Sequence, residues 1–138
     1  MRSCTALLLC AAACTPPPPP PGAAGPLEAV QAFSTAVQKG DVATAWSLLS
    51  SSTRAAADAQ AAAARKSSGT AEPESGRQML FTSALPQGAP SGAADALKLL
   101  DEKGDEAHVE RGAGRYRLVR EHDRWLLDLE LAARDGGR

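Results

Sequence analysis

RYRLVREHDRWLLDLE, Arg115 to Glu130, alternates apolar and charged residues on both sides of a short polar break. If Glu121-His122-Asp123-Arg124 turns a hairpin with Glu121 opposite Arg124, the arithmetic fixes every other pair. Arg120 faces Trp125, Val119 faces Leu126, Leu118 faces Leu127, Arg117 faces Asp128, Tyr116 faces Leu129 and Arg115 faces Glu130. One face then collects Tyr116, Leu118, Leu127 and Leu129, with Arg120 over Trp125. The other carries three opposite-charge pairs around Val119 and Leu126. A one-residue slip would set Asp and Arg against the apolar row, so the register is strongly specified.

Upstream of this hairpin, Arg111-Gly112-Ala113-Gly114 reads as a flexible turn, with Ala107 and Val109 falling in line with Tyr116 and Leu118. Glu102-Lys103-Gly104 fits a three-residue hairpin loop with Gly in the left-handed position, which would align Leu97 with Val109 and Leu99 with Ala107. The stretch Ala94 to Asp101 is therefore expected as a strand. The C-terminal third becomes an antiparallel meander of four strands with one oily face.

The residues before it follow a helical period. Leu27, Val30, Phe33 and Val37 share one face; Pro26 suits the first turn and Gly40 the C-terminus. Asp41 offers an N-cap for a second helix whose stripe is Val42, Ala45, Trp46 and Leu49. Ser50-Ser51-Ser52-Thr53 is a polar break with capping hydroxyls. Arg54 to Lys66 is an alanine-rich helix with basic residues in its last turn, and it must pack closely because alanine buries little area. Ser75 to Ala84 reads as a short helix ended by Pro86. The expected fold class is α+β, with N-terminal helices packed on the C-terminal four-stranded meander.

The first residues write an address. Arg2, the apolar run Ala6 to Ala13 and the small residues before Cys14 have the three regions of a secretory signal. The apolar run is far below the roughly 20 residues of a spanning helix. All three cysteines, Cys4, Cys10 and Cys14, lie here, so no disulfide framework is expected in the domain. Pro16 to Pro21 would form a semi-rigid polyproline spacer of roughly 19 Å. This divides the chain into a signal peptide (1–13), Cys14 with a Pro-rich spacer (14–26), one α+β domain (27–131) and a polar tail (132–138).

Ala11-Ala12-Ala13-Cys14 resembles the lipobox of bacterial lipoproteins, departing from it at Ala11, where that family prefers Leu. The resemblance implies that the signal is removed and that Cys14 becomes a diacylglyceryl-modified, acylated (palmitate-type) N-terminus. Such an anchor gains about 0.8 kcal/mol per buried methylene, and two or more chains make it stable. The absence of Asp at Thr15 would, by analogy with enteric lipoproteins, direct the chain to the outer membrane, facing the periplasm. Farther along, three features together resemble the NTF2-like (cystatin-like) α+β cone. They are the helix pair joined through Lys39-Gly40-Asp41, the Trp46-bearing second helix, and a terminal hairpin with Arg124-Trp125 before an alternating strand. Within that class the chain is similar to small bacterial lipoproteins of the DUF4878-like sort, over about Leu27 to Leu131. Usual members have Gly in the last turn, where this chain has His122-Asp123.

Composition and motifs narrow the chemistry. With 15 basic against 16 acidic residues and a net charge of -1, the 138-residue chain has no basic surplus for nucleic acid. Alanine supplies about a fifth of it, Asn and Ile are missing and Arg outnumbers Lys, a codon bias without functional content. There is no phosphate-binding glycine loop, no His-Glu-x-x-His, no paired-cysteine site and no nucleophile elbow. Two histidines and no domain cysteine leave a zinc site nearly unbuildable, and no metal or cofactor is expected.

Enzymes of the NTF2-like class, isomerases and polyketide cyclases, place an Asp or His base and a Tyr donor inside the cone. Here Tyr116 faces inward, but Asp128 and His108 fall on the outer face as solvated residues, and His122 lies in a turn. The inward candidates for a pocket are Trp46, Tyr116 and Trp125, without a base among them. The reading is thus a non-catalytic cell-envelope lipoprotein that binds a small apolar ligand or an envelope protein. The alternatives are a pocket enzyme of the isomerase or cyclase type, or a purely structural lipoprotein acting through its charged outer sheet face.

Overall fold

The computed structural model describes residues 21–84 and 96–131. The signal region, Cys14, the prolines up to residue 20 and the tail 132–138 lie outside the described residues. Four helices come first: α1 (Pro26–Lys39), α2 (Val42–Ser47), α3 (Ser51–Ser68) and α4 (Gly76–Met79), the last running into a π-helical turn at Leu80–Ala84. Four strands follow: β1 (Leu97–Lys103), β2 (Glu106–Arg111), β3 (Gly114–Glu121) and β4 (Arg124–Asp128). They form one antiparallel sheet in the order β1-β2-β3-β4, so the chain is α+β with a meander, as its periodicity predicts.

The β3–β4 register agrees with the sequence arithmetic from Glu121–Arg124 to Arg117–Asp128. His122 (φ 51) and Asp123 (φ 60) both take the left-handed conformation, the backbone of a type I′ turn made without glycine. Pairing stops at Asp128, where the sequence had extended it to Tyr116–Leu129 and Arg115–Glu130. The reason is a competing partner: the Leu129 N–H donates to Thr53 Oγ1 (2.9 Å), which takes the place of a further β3 rung.

The β2–β3 hairpin pairs Ala107 with Leu118 and Val109 with Tyr116, which sets the four on one face as expected. The β1–β2 hairpin differs. Its loop is two residues, Gly104 (φ 61) and Asp105, so Lys103 pairs with Glu106 and Glu102 with Ala107. A bulge at Leu100 then restores the phase, placing Leu99 opposite Val109 and Leu97 opposite Arg111. Without that extra residue Leu97 and Leu99 would turn outward and Lys98 inward, so the bulge keeps the apolar residues on the core side. Leu97 packs against the core, whereas Leu99 stays 38% exposed at the sheet margin.

Helix α1 lies across β4, β2 and β1. It buries Ala29, Val30, Phe33, Ser34 and Ala36 and leaves Leu27, an expected core residue, 37% exposed. Asp41 caps α2, accepting the Thr44 N–H at 3.0 Å, and its carboxyl is held below the usual range chiefly by the hydrogen bonds from Thr44. Helix α3 begins earlier than Arg54 because Ser50 Oγ accepts the Thr53 N–H. Its alanines do pack closely: Ala57 and Ala61 are fully buried, and α4 approaches at Gly76. A side chain on Gly76 would sit 2.4 Å from the Asp58 nitrogen, so no larger residue fits this crossing without displacement.

Two upstream segments cover the outer edge of β4. Ala23 forms an antiparallel bridge with Trp125, and Leu49 a parallel one with Leu127. Gly22 (φ 97) lies so near the strand that a Cβ there would be 2.8 Å from Arg124 Cβ and 3.1 Å from Leu126 Cδ2. Leu126, on the nominally solvated face, is accordingly only 2% exposed.

Candidate functional site

The inner face of the sheet is filled. Ala107, Val109, Leu118 and Leu127 are fully buried, and Val30 and Phe33 of α1 join the same cluster. Of the three residues expected to line a pocket, Trp125 is a core residue at 3% exposure, while Trp46 and Tyr116 are partly buried and pack against that core. Arg120 lies over the Trp125 ring at 5.7 Å, and its Nε donates to Asp105 (3.0 Å). Tyr116 folds over Gly114, whose missing side chain leaves room for the phenol; a Cβ there would meet the hydroxyl at 3.0 Å. Burial pushes the phenol's pKa up, against the smaller opposing pull of the Arg111 cation.

Arg111 itself is a residue the sequence reading passed over as part of a turn. It stands in β2 opposite Leu97 and is buried. The signal was present, since Ala107, Val109 and Arg111 share one parity.

The outer face holds the ordered chemistry. Asp101, His108, Arg117 and Asp128 are register partners in succession from β1 to β4, one straight row across the sheet. Period two puts all four on the same side. His108 Nδ1 lies 2.9 Å from Asp101 Oδ1, and its Nε2 is 3.7 Å from Glu106 Oε1. Arg117 grips Glu106 with two parallel bonds, Nε to Oε1 (3.0 Å) and Nη2 to Oε2 (3.1 Å), and reaches Asp128 Oδ2 with Nη1. The hydrogen bond from Arg117 holds the Glu106 carboxyl below its usual range.

Asp128 ends the row in a way the sequence did not show. It was expected as a solvated cross-strand partner, but its side chain is only 11% exposed. Ser50 Oγ donates to its Oδ1 at 2.6 Å, with Thr53 Oγ1 at 3.4 Å from the same oxygen. The α3 N-terminus docks at the end of β4 and shields the carboxylate. Nearby, Glu121 accepts from both the backbone N–H and the hydroxyl of Ser51 (3.0 and 2.9 Å).

Chemically, this row is a set of engaged charges. Each carboxylate has a donor, and both His108 nitrogens face carboxylates without a serine or cysteine beside them. A cavity of about 250 Å³ opens over its β1–β2 part, lined by Asp101, Lys103, Glu106 and His108. That lining suits a polar or charged partner group rather than an apolar one. Among the described residues, no group of three or more His, Cys, Asp or Glu is placed to hold a metal ion. No helix among them is long and apolar enough to cross a membrane. No protein-family model, curated protein or solved structure matches the chain.

Proposed function

We propose that this chain is a lipid-anchored protein of the bacterial cell envelope whose NTF2-like domain is non-catalytic and binds another envelope protein through the outer face of its sheet. The observation that carries the reading is the division of chemistry between the two faces. Tryptophan and aliphatic side chains fill the inner face, and the ordered, addressable groups stand outside, in the row Asp101–His108–Arg117 that ends on the shielded Asp128. A general acid or base must lie within hydrogen-bond reach of a bound substrate. On the described inner face Tyr116 is the titratable group nearest that role, and burial favours its neutral form. Anchorage follows from the lipobox-like Ala11-Ala12-Ala13-Cys14, and the element order of helices before a meander supports the NTF2-like assignment.

Two measurements test it. Intact mass and fractionation of the native protein should show acyl mass and membrane association that both vanish in Cys14→Ser; a soluble, unmodified wild type removes the anchor. A photo-crosslinking residue in place of Glu110 or Arg115 should capture one envelope protein in cells, and the adduct should disappear when Lys98 and Lys103 are reversed in charge. Saturable one-to-one binding of an apolar dye, with no adduct from either outer position, would instead favour a small apolar ligand.

A further inference from the structure

The point where the anchor segment joins the domain is fixed by hydrogen bonds. The Ala23 N–H donates to the Trp125 carbonyl (3.0 Å) and the Trp125 N–H to the Ala23 carbonyl (2.9 Å). One residue earlier, Arg124 Nη2 donates to the Gly22 carbonyl (2.7 Å), and Gly22 leaves no room for a side chain against β4. The chain is therefore clamped beside the start of β4, next to the His122-Asp123 turn. The Gly104-Asp105 turn is at the same end, because the Arg120 N–H and Nε both donate to Asp105 (2.8 and 3.0 Å). The Gly112-Ala113 turn lies at the opposite end of the sheet.

From Cys14 to Gly22 the chain advances 8 residues, Pro16 to Pro21 among them. Full extension of that length allows at most about 29 Å. Strand β3, of 8 residues, is itself about 26 Å long. The clamped end can therefore never stand more than about 29 Å from the surface, whereas the far end of β3 can stand about 26 Å beyond it. Turning over would demand a nearly fully stretched leash and a domain folded back against the bilayer.

We infer that the β3–β4 hairpin end is the membrane-proximal pole of the domain, held there by the Gly22–Ala23 clamp, and that the Gly112-Ala113 turn is the distal pole. The inference rests on acylation of Cys14. The near pole interleaves Lys103, Arg120 and Arg124 with Asp105, Glu121 and Asp123, so it has no charge surplus with which to adsorb to anionic lipid. Leash length sets the orientation, and the outer sheet face stands side-on to the membrane, open to a partner.

The test uses the acylated full chain in phosphatidylcholine vesicles carrying a rhodamine-labelled headgroup lipid. Acylated Cys14 has no free thiol and Cys4 and Cys10 leave with the signal, so Lys103→Cys or Ala113→Cys supplies a single site for a fluorescent donor. Energy transfer to the bilayer should be severalfold faster from position 103 than from position 113, and the same with added phosphatidylglycerol. Equal transfer, faster transfer from 113, or a difference that appears only with anionic lipid overturns the inference. A flexible twenty-residue Gly-Ser insertion after Pro21 changes no folded contact and should level the two rates; an undiminished difference also overturns it. Protein that fails to float with vesicles and lacks acyl mass fails at the anchor, a result separate from floating protein without orientation.

Discussion

Asp128→Ala separates a solvated charge pair from a buried docking point. Its Oδ1 accepts from Ser50, a fully buried residue, at 2.6 Å, and Oδ2 receives Arg117 Nη1. A hydrogen bond to a charged group contributes about 1.5–3 kcal/mol when one partner is left behind. Arg117 adds less than about 1 kcal/mol, because it is 41% exposed and keeps Glu106 as a partner. Ser50 can turn its proton to Thr53 Oγ1 at 2.9 Å, which lowers the loss. The expected cost is about 2 kcal/mol, or a urea midpoint lowered by roughly 1–2 M for a small domain. The assay is urea unfolding at pH 7 in a Cys14→Ser background, followed by fluorescence of Trp46 and Trp125. Asp128→Asn, which keeps an acceptor oxygen, should lose less, and the cycle with Ser50→Ala should show coupling of about 1 kcal/mol. A cost under about 0.5 kcal/mol would refute the docking of α3 onto β4 and return Asp128 to the solvent.

Tyr116 is the chain's single tyrosine, so its absorbance reports one phenol, and the titration midpoint should lie above the ordinary 10.0. Because the folded state holds this proton more tightly, stability should begin to fall as pH rises past 10.0, and Tyr116→Phe should remove that part of the loss. Asp123→Gly relieves a left-handed residue at φ 60 and, after the entropy it adds to the unfolded chain, should stabilise by roughly 0.5 kcal/mol; a lower urea midpoint would contradict the turn assignment. Leu127→Ala, at a fully buried site, should cost about 2–5 kcal/mol. Leu99→Ala, on the same sheet face but at the margin, should cost under about 1 kcal/mol, and similar losses at both would contradict the bulged β1 register.

The two C-terminal hairpins were legible because period-two alternation leaves one register that keeps charge off the core. The α1 cap at Gly40 and the α2 cap at Asp41 were legible for the same local reason, a backbone need met by a neighbouring residue. The β1–β2 register was not. Leu97 and Leu99 marked the apolar face, but whether the loop had two or three residues depended on Asp105 engaging Arg120 from another strand. The inward candidates Trp46, Tyr116 and Trp125 were placed on the correct side, yet nothing local said that α1 would fill the space between helices and sheet.

The sequence by itself determined the class of fold and the two faces of the sheet. Each follows from spacing or from residue type over a few neighbours. Only the tertiary structure decided that Asp128 is shielded by Ser50 and Thr53, that Leu126 is covered beside Gly22, and that Ala23 is bridged to Trp125. Those contacts join residues 75 to 104 positions apart, from Thr53 and Asp128 to Gly22 and Leu126. Periodicity carries no information about which distant loop closes over a strand edge; burial and hydrogen-bond satisfaction settle that once the layers have met.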